Sequence, residues 1–126
     1  MIDVSDLIGI KYKEHGRDKD GYDCYGLVME VEKRIGVEIP DYDYEFHDDS
    51  LTDSLTRLAI SQNKVKQIDQ FVDGAMVLFQ NIKGMKSHIG VYVGNGNICH
   101  CNYRGVHLDT VDSMKNGIAG VYIWRK

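Results

Sequence analysis

Between Cys24 and Ile35 the apolar residues Leu27, Val28, Val31 and Ile35 recur at three- and four-residue spacing, the period of an α-helix. Asp23 stands where an N-cap belongs and Gly36 where a left-handed stop belongs, so the pattern predicts a helix over about Cys24–Ile35. Upstream, a short helical segment near Val4–Ile8 leads into a polar loop from Gly9 to Tyr22. A second helix is predicted over about Leu51–Gln62, with Ser50 as its cap. Beyond it the period changes. Ala75–Gln80, Ser87–Val93, Asn97–Asn102, Val106–Leu108 and Ala119–Trp124 are short, β-branched or aromatic runs separated by Gly/Asn turns, and read as strands. Helices followed by strands predict an α+β fold, with a C-terminal antiparallel sheet of about five strands packed on the Cys24 helix.

Composition narrows the function. The chain has 126 residues, enough for one domain with its own core, and shows no repeat and no linker. A net charge of -4 leaves no basic footprint for nucleic acid or for an anionic membrane. No run approaches the ~20 apolar residues of a membrane span, and Asp3 and Asp6 occupy the start that a secretory signal would make basic. The expectation is synthesis in the cytoplasm without such a signal. Three cysteines, an odd number, argue against a disulfide framework. The run DYDYEFHDDSLTD carries six acidic residues in thirteen and leaves a solvated loop and a ligand-facing rim equally open.

Within DGYDCYGLVME, Cys24 falls at the point where a polar loop turns apolar, as the first residue of the predicted helix. The positive end of a helix favours a thiolate, the form that attacks carbonyls. A nucleophilic thiol also needs a base and a group that orients the base. Of the five histidines, His15, His47 and His107 are accounted for by surface polarity, in loops or at a strand edge. His88 and His100 lie on the two strands of one predicted hairpin, SHIGVYVGNGNICHCN, where structural and catalytic readings balance. Other motifs fail. RDKDGYD starts like a calcium loop, but Tyr22 fills a ligand position and no glutamate closes it. CHC at 99–101 lacks zinc spacing, because a strand sends Cys99 and Cys101 to the face opposite His100. GNG at 94–96 is a hairpin turn with no helix after it to bind phosphate.

Taken together, GYDCYGLV, SHIGVYVGNG and an ICH twelve residues after His88 resemble the NlpC/P60 family of papain-like cell-wall cysteine peptidases. The resemblance implies a papain-like α+β fold and hydrolysis of peptidoglycan stem peptides, usually between γ-D-glutamate and diaminopimelate or lysine. It makes Cys24 the nucleophile, His88 the base and His100 the residue that orients the base. Asp23 matches an acidic residue proposed to hold the substrate's free amine, and Tyr12 a tyrosine near the oxyanion site. Tyr25 stands where many members carry a serine that lines the substrate subsite, so it bears on specificity. No metal or cofactor is implied. The pattern GRDKDGYDCYGLV followed by GVEIPDY resembles the family's phage-tail branch, which implies tail-tip proteins as partners and a virion as the route to the wall. Two other classes fit the same residues: a tail structural protein with little turnover, and an amidase or acyltransferase on another amide.

If His88 and His100 act together they must share a face. A two-residue Asn95-Gly96 turn in a regular ladder pairs Val91 with His100 and separates them, since a one-residue slip inverts the faces. A three-residue loop, Gly94 to Gly96, with a bulge at Gly96 pairs Val93 with Asn97 and Gly90 with His100, and sets His88 opposite Asn102. That register also gathers Ile89, Val91, Val93, Cys99 and Cys101 on the other face. The longer loop is therefore the expectation.

Overall fold

The computed structural model describes residues 1–41, 60–80 and 86–125. The helix read from the sequence is α1, Cys24–Arg34. Its Leu27, Val28 and Val31 are wholly buried, and burying each such side chain is worth about 1.5–3 kcal/mol. Gly36, at φ 81°, ends the helix, and its N–H returns to the Lys33 carbonyl. Arg34 in the last turn binds Asp6 and Glu30, which ties the N-terminal segment to the helix.

Before α1 a two-stranded ribbon, β1 (Arg17–Asp18) with β2 (Gly21–Tyr22), occupies part of the predicted loop. Six further strands form one antiparallel sheet. They are β3 (Val65–Ile68), β4 (Met76–Gln80), β5 (Lys86–Gly94), β6 (Asn97–Asn102), β7 (Gly105–Thr110) and β8 (Ile118–Trp124). The order is β3-β8-β4-β5-β6-β7, so β4 to β7 form a meander and β8 returns beside β4. A short helix α2, Val111–Met114, and a 3-10 turn, Lys115–Gly117, bridge β7 to β8. One face of the sheet joins α1 in the main core, with Ile89, Val91, Val93, Cys99 and Cys101 among its members. The other face carries Val77, Phe79 and Ile98 under α2.

Three expectations need correction. Val4–Ile8 forms turns rather than a helix, closed by Leu7 N–H to the Val4 carbonyl and Ile10 N–H to the Leu7 carbonyl. Its buried Val4 and Leu7 serve the core without a helical period. β3, unpredicted because Val65–Ile68 alternates too briefly to signal, makes the sheet six strands wide. The third concerns the hairpin. Asn95 and Gly96 both have positive φ, 54° and 76°, and form the two-residue turn that their own propensities favour. The extra residue sits instead inside β5, where the register shifts between Tyr92 and Gly94 around Val93. The Val93 carbonyl is taken by the N–H of Ile2. Either device restores the same register, and Gly90 faces His100. The predicted Leu51–Gln62 helix, apart from its last residues, lies outside the described residues, as does the acidic run beyond Asp41.

Candidate active site

Asp23 builds the start of α1. Its carboxylate accepts from the Gly26 N–H at 2.6 Å and from the Arg17 guanidinium at 3.0 Å, and the residue is wholly buried. Arg17 also reaches Asp41, so one arginine joins the ribbon, the helix start and the segment after the helix. A Cβ at Gly26 would overlap the Gly16 carbonyl oxygen, so only glycine lets the first helical turn lie against the ribbon. These contacts fix the two residues between Asp23 and Gly26, Cys24 and Tyr25, in place.

The sulfur of Cys24 receives backbone hydrogen bonds from Ile89, the neighbour of His88, and from Tyr25, both of which favour the thiolate. Burial outweighs them. It pushes the thiol up to about 12, with the negative charge of buried Asp23 acting in the same direction. The thiolate expected from the helix terminus is thus not the resting form. The helix end could be read from the sequence, whereas the desolvation and the adjacent buried carboxylate depend on tertiary packing.

His88 and His100 project from the same face of the β5–β6 ladder, and His88 Nε2 lies 2.9 Å from His100 Nδ1. Gly90 makes this possible. It pairs with His100, and a Cβ there would press on the His100 Cβ at 3.0 Å. Phe79 on β4 packs against both imidazoles. Burial lowers His88 to about 3, with the neighbouring His100 and His107 adding to the shift, and burial also lowers His100. Both rings are therefore neutral near pH 7 and carry one proton each.

A residue the sequence reading missed completes the chain. Asp109 on β7 places Oδ2 2.7 Å from His100 Nε2. A carboxylate only accepts, so His100 carries its proton on Nε2 and presents a lone pair at Nδ1. His88 must then donate from Nε2, which leaves its Nδ1 as a lone pair. One acceptor at the end of the chain thereby sets both tautomers, and the far end of the relay, His88 Nδ1, is left as a lone pair. His107, assigned to surface polarity, also belongs here. It pairs with His100 across the β6–β7 ladder, with ring centroids 4.2 Å apart. Counting back from a turn at Tyr103-Arg104 would have found this register, which sets Asp109 diagonally across from His100.

Tyr12 lies within electrostatic range of Cys24 and Asp23, and its hydroxyl is raised chiefly by burial. Tyr25 is buried, and its hydroxyl donates to the Pro40 carbonyl, with the Arg17 guanidinium 6.0 Å from its ring centroid. Asp23, committed to Gly26 and Arg17, has the geometry of a cap.

Residues 9–124 match the NlpC/P60 family. The chain is 27% identical over 114 residues to the probable peptidoglycan endopeptidase LytE of Bacillus subtilis (strain 168), covering 90% of this chain and 29% of that protein. It is 27% identical over 103 residues to the murein DD-endopeptidase MepS/murein LD-carboxypeptidase of Escherichia coli (strain K12), covering 81% of this chain and 47% of that protein. The chain thus spans less than half the length of these relatives. Its fold is shared by NlpC1 of Trichomonas vaginalis, with a TM-score of 0.68 and 20% identity over 98% of this chain and 42% of that one. With the match running over almost all of its length, the chain belongs to the NlpC/P60 family.

Proposed function

We propose that the chain is a cysteine endopeptidase that hydrolyses stem-peptide amide bonds of peptidoglycan. The observation that carries this reading is the relay Asp109–His100–His88, whose hydrogen bonds leave a lone pair at Nδ1 of His88, the residue next to the one that holds the Cys24 sulfur. In the reaction, the Cys24 sulfur bonds to the amide carbonyl carbon while His88 Nδ1 takes the thiol proton. The tetrahedral intermediate's oxyanion meets the Cys24 backbone N–H at the helix start, with Tyr12 nearby. Collapse breaks the C–N bond, and His88 returns the proton to the leaving amine. Water, deprotonated by His88, then hydrolyses the thioester.

Because the resting pair is thiol and neutral imidazole, proton transfer accompanies attack rather than preceding it. The substrate's bond is taken to be that from γ-D-glutamate to diaminopimelate or lysine, and the setting a phage or prophage tail that engages tail-tip proteins. Both finer readings rest on the sequence motifs and their resemblance. The endopeptidase names of LytE and MepS support the substrate class. Purified peptidoglycan digested with the protein should release muropeptide fragments with new termini at one bond, identified by mass spectrometry. No release from any wall chemotype, with a folded protein, would leave a non-hydrolytic binding role as the better reading.

Asp109 is a positioning residue in this scheme. Removing it with Asp109→Ala frees His100 to adopt either tautomer and deletes a charge-assisted hydrogen bond worth ~1.5–3 kcal/mol, roughly 10- to 150-fold in kcat. The loss should fall on kcat with KM unchanged, because Asp109 does not meet substrate. A KM effect with intact kcat would place Asp109 in binding instead.

A further inference from the structure

The hydrogen-bond logic fails at one point beside the relay. His107 Nδ1 lies 2.9 Å from the Gly105 carbonyl, which can only accept, so the ring's proton is on Nδ1. Nε2 is then a lone pair, yet it faces Asp109 Oδ2 at 3.2 Å, another acceptor. Two lone pairs at this distance need a positive charge between them, either a proton or a metal ion. The same carboxylate oxygen faces His100 Nε2 at 2.7 Å. His100, His107 and Asp109 therefore converge, with one ligand atom from each lying within 4.8 Å of the others.

We propose that these three residues form a binding site for a zinc-class divalent ion, and that occupancy switches off the His88 base. Two imidazole nitrogens and one carboxylate oxygen, with a fourth position open, are a donor set that suits Zn2+. The partly exposed Asp109 and His107 give the ion a way in from solvent, while His100 is its buried inner ligand. Cysteine takes no part, because Cys99 and Cys101 lie on the other face of the sheet.

The ion acts through the tautomers. Coordination at His100 Nε2 displaces that nitrogen's proton to solvent, together with any proton shared between His107 and Asp109. A neutral imidazole bound through Nε2 carries its proton on Nδ1. The His88 Nε2 proton therefore passes to His100 Nδ1, and His88 takes one proton from solvent on its own Nδ1. His88 ends neutral as before, but the lone pair that would accept the Cys24 proton is gone. This effect on turnover rests on the peptidase reading; the site and the tautomer switch do not.

The test uses the full chain carrying Cys24→Ala, so that the thiol cannot bind metal and no hydrolysis is needed. Titration with Zn2+ followed by calorimetry should show one saturable site. His107→Ala, and His107→Phe, which keeps a ring packed on His100, should each weaken it at least tenfold, about 1.4 kcal/mol. Nitrogen-15 NMR of the imidazoles should show His88 moving from the Nε2–H to the Nδ1–H tautomer at saturation. Equal affinity in the His107 variants, no saturable binding, or binding with an unchanged His88 tautomer would each overturn the proposal. In the intact protein, Zn2+ should inhibit peptidoglycan release, and the inhibition should weaken with either His107 change. Undiminished inhibition in those variants would assign it to the Cys24 sulfur and overturn the switch. A chain that releases no fragments at all would fail the peptidase reading while the calorimetry and NMR still decided the site.

Discussion

Cys24→Ala is expected to abolish release of muropeptides, by a factor on the order of 10^4 or more, because no other group in the relay can form the thioester. The fold should survive. Cys24 packs at the margin of the main core rather than within it, so the loss of its sulfur should cost about 1 kcal/mol or less and shift Tm by a few degrees. A large fall in Tm would make the loss of activity uninterpretable as catalysis, and Cys24→Ser then provides the near-isosteric control. Iodoacetamide applied to the native protein should modify Cys24 alone, since Cys99 and Cys101 are completely buried. The pH profile carries the sharper information. Burial holds His88 near 3, so its protonation cannot switch activity off until well below the 6.5 of an ordinary histidine. Turnover at pH 5 should stay within about twofold of that at pH 7, given that displacement. An acid limb centred near 6.5 would show that His88 is far better solvated than its packing against Phe79 implies.

How far this site could be read from the sequence follows from which forces are local. Cys24, His88 and His100 were legible because each sits at a marked position: a helix start after an N-cap, and two points on one hairpin whose register can be counted. The register was right for a partly wrong reason. Asn95-Gly96 kept the turn that local propensity dictates, and the compensating residue moved to Val93, where the main core and Ile2 could use it. A bulge of this kind leaves no mark in the sequence, since Val93 is as good a strand residue as its neighbours. Asp109 and His107 escaped because GVHLDT reads as an ordinary alternating edge strand. Only the next hairpin's register shows that its half-buried face meets His100. Arg17 was quoted within a motif, but its role in holding Asp23 and Asp41 together needs the ribbon, and two-residue strands fall below any periodic signal. The protonation of Cys24 depends on desolvation, which is a property of the assembled core.

Glu32 should make the protein less stable as pH rises from 5 to 8, opposite to the usual behaviour of a carboxylate. It lies on the buried side of α1, with Oε1 lacking a hydrogen-bond partner among the described residues. At 1% exposure the charged form is stripped of its hydration, and this burial raises the carboxyl from 4.5 to about 8. The folded state therefore holds a proton that the unfolded chain releases above pH 4.5. Below that value both states are protonated and no penalty arises. Between 4.5 and about 8 each unit of pH costs the folded state about 1.4 kcal/mol, or roughly 3 kcal/mol by pH 7. Above about 8 both states are ionised and the cost levels off. Against a typical domain stability of 5–15 kcal/mol this is a large term. Glu32→Gln removes the titration, and Glu32→Leu also removes the unpaired polar atom, so the leucine variant should be the more stable at pH 8. Denaturant unfolding of native and Glu32→Gln proteins at pH 5 and pH 8 isolates the effect from every other titrating group. The native protein should lose several kcal/mol more than the variant across that interval, about 1.4 for each unit of pH. Equal losses in the two proteins would mean that Glu32 finds a partner or water when it ionises, and that the core of α1 is wetter than its packing implies.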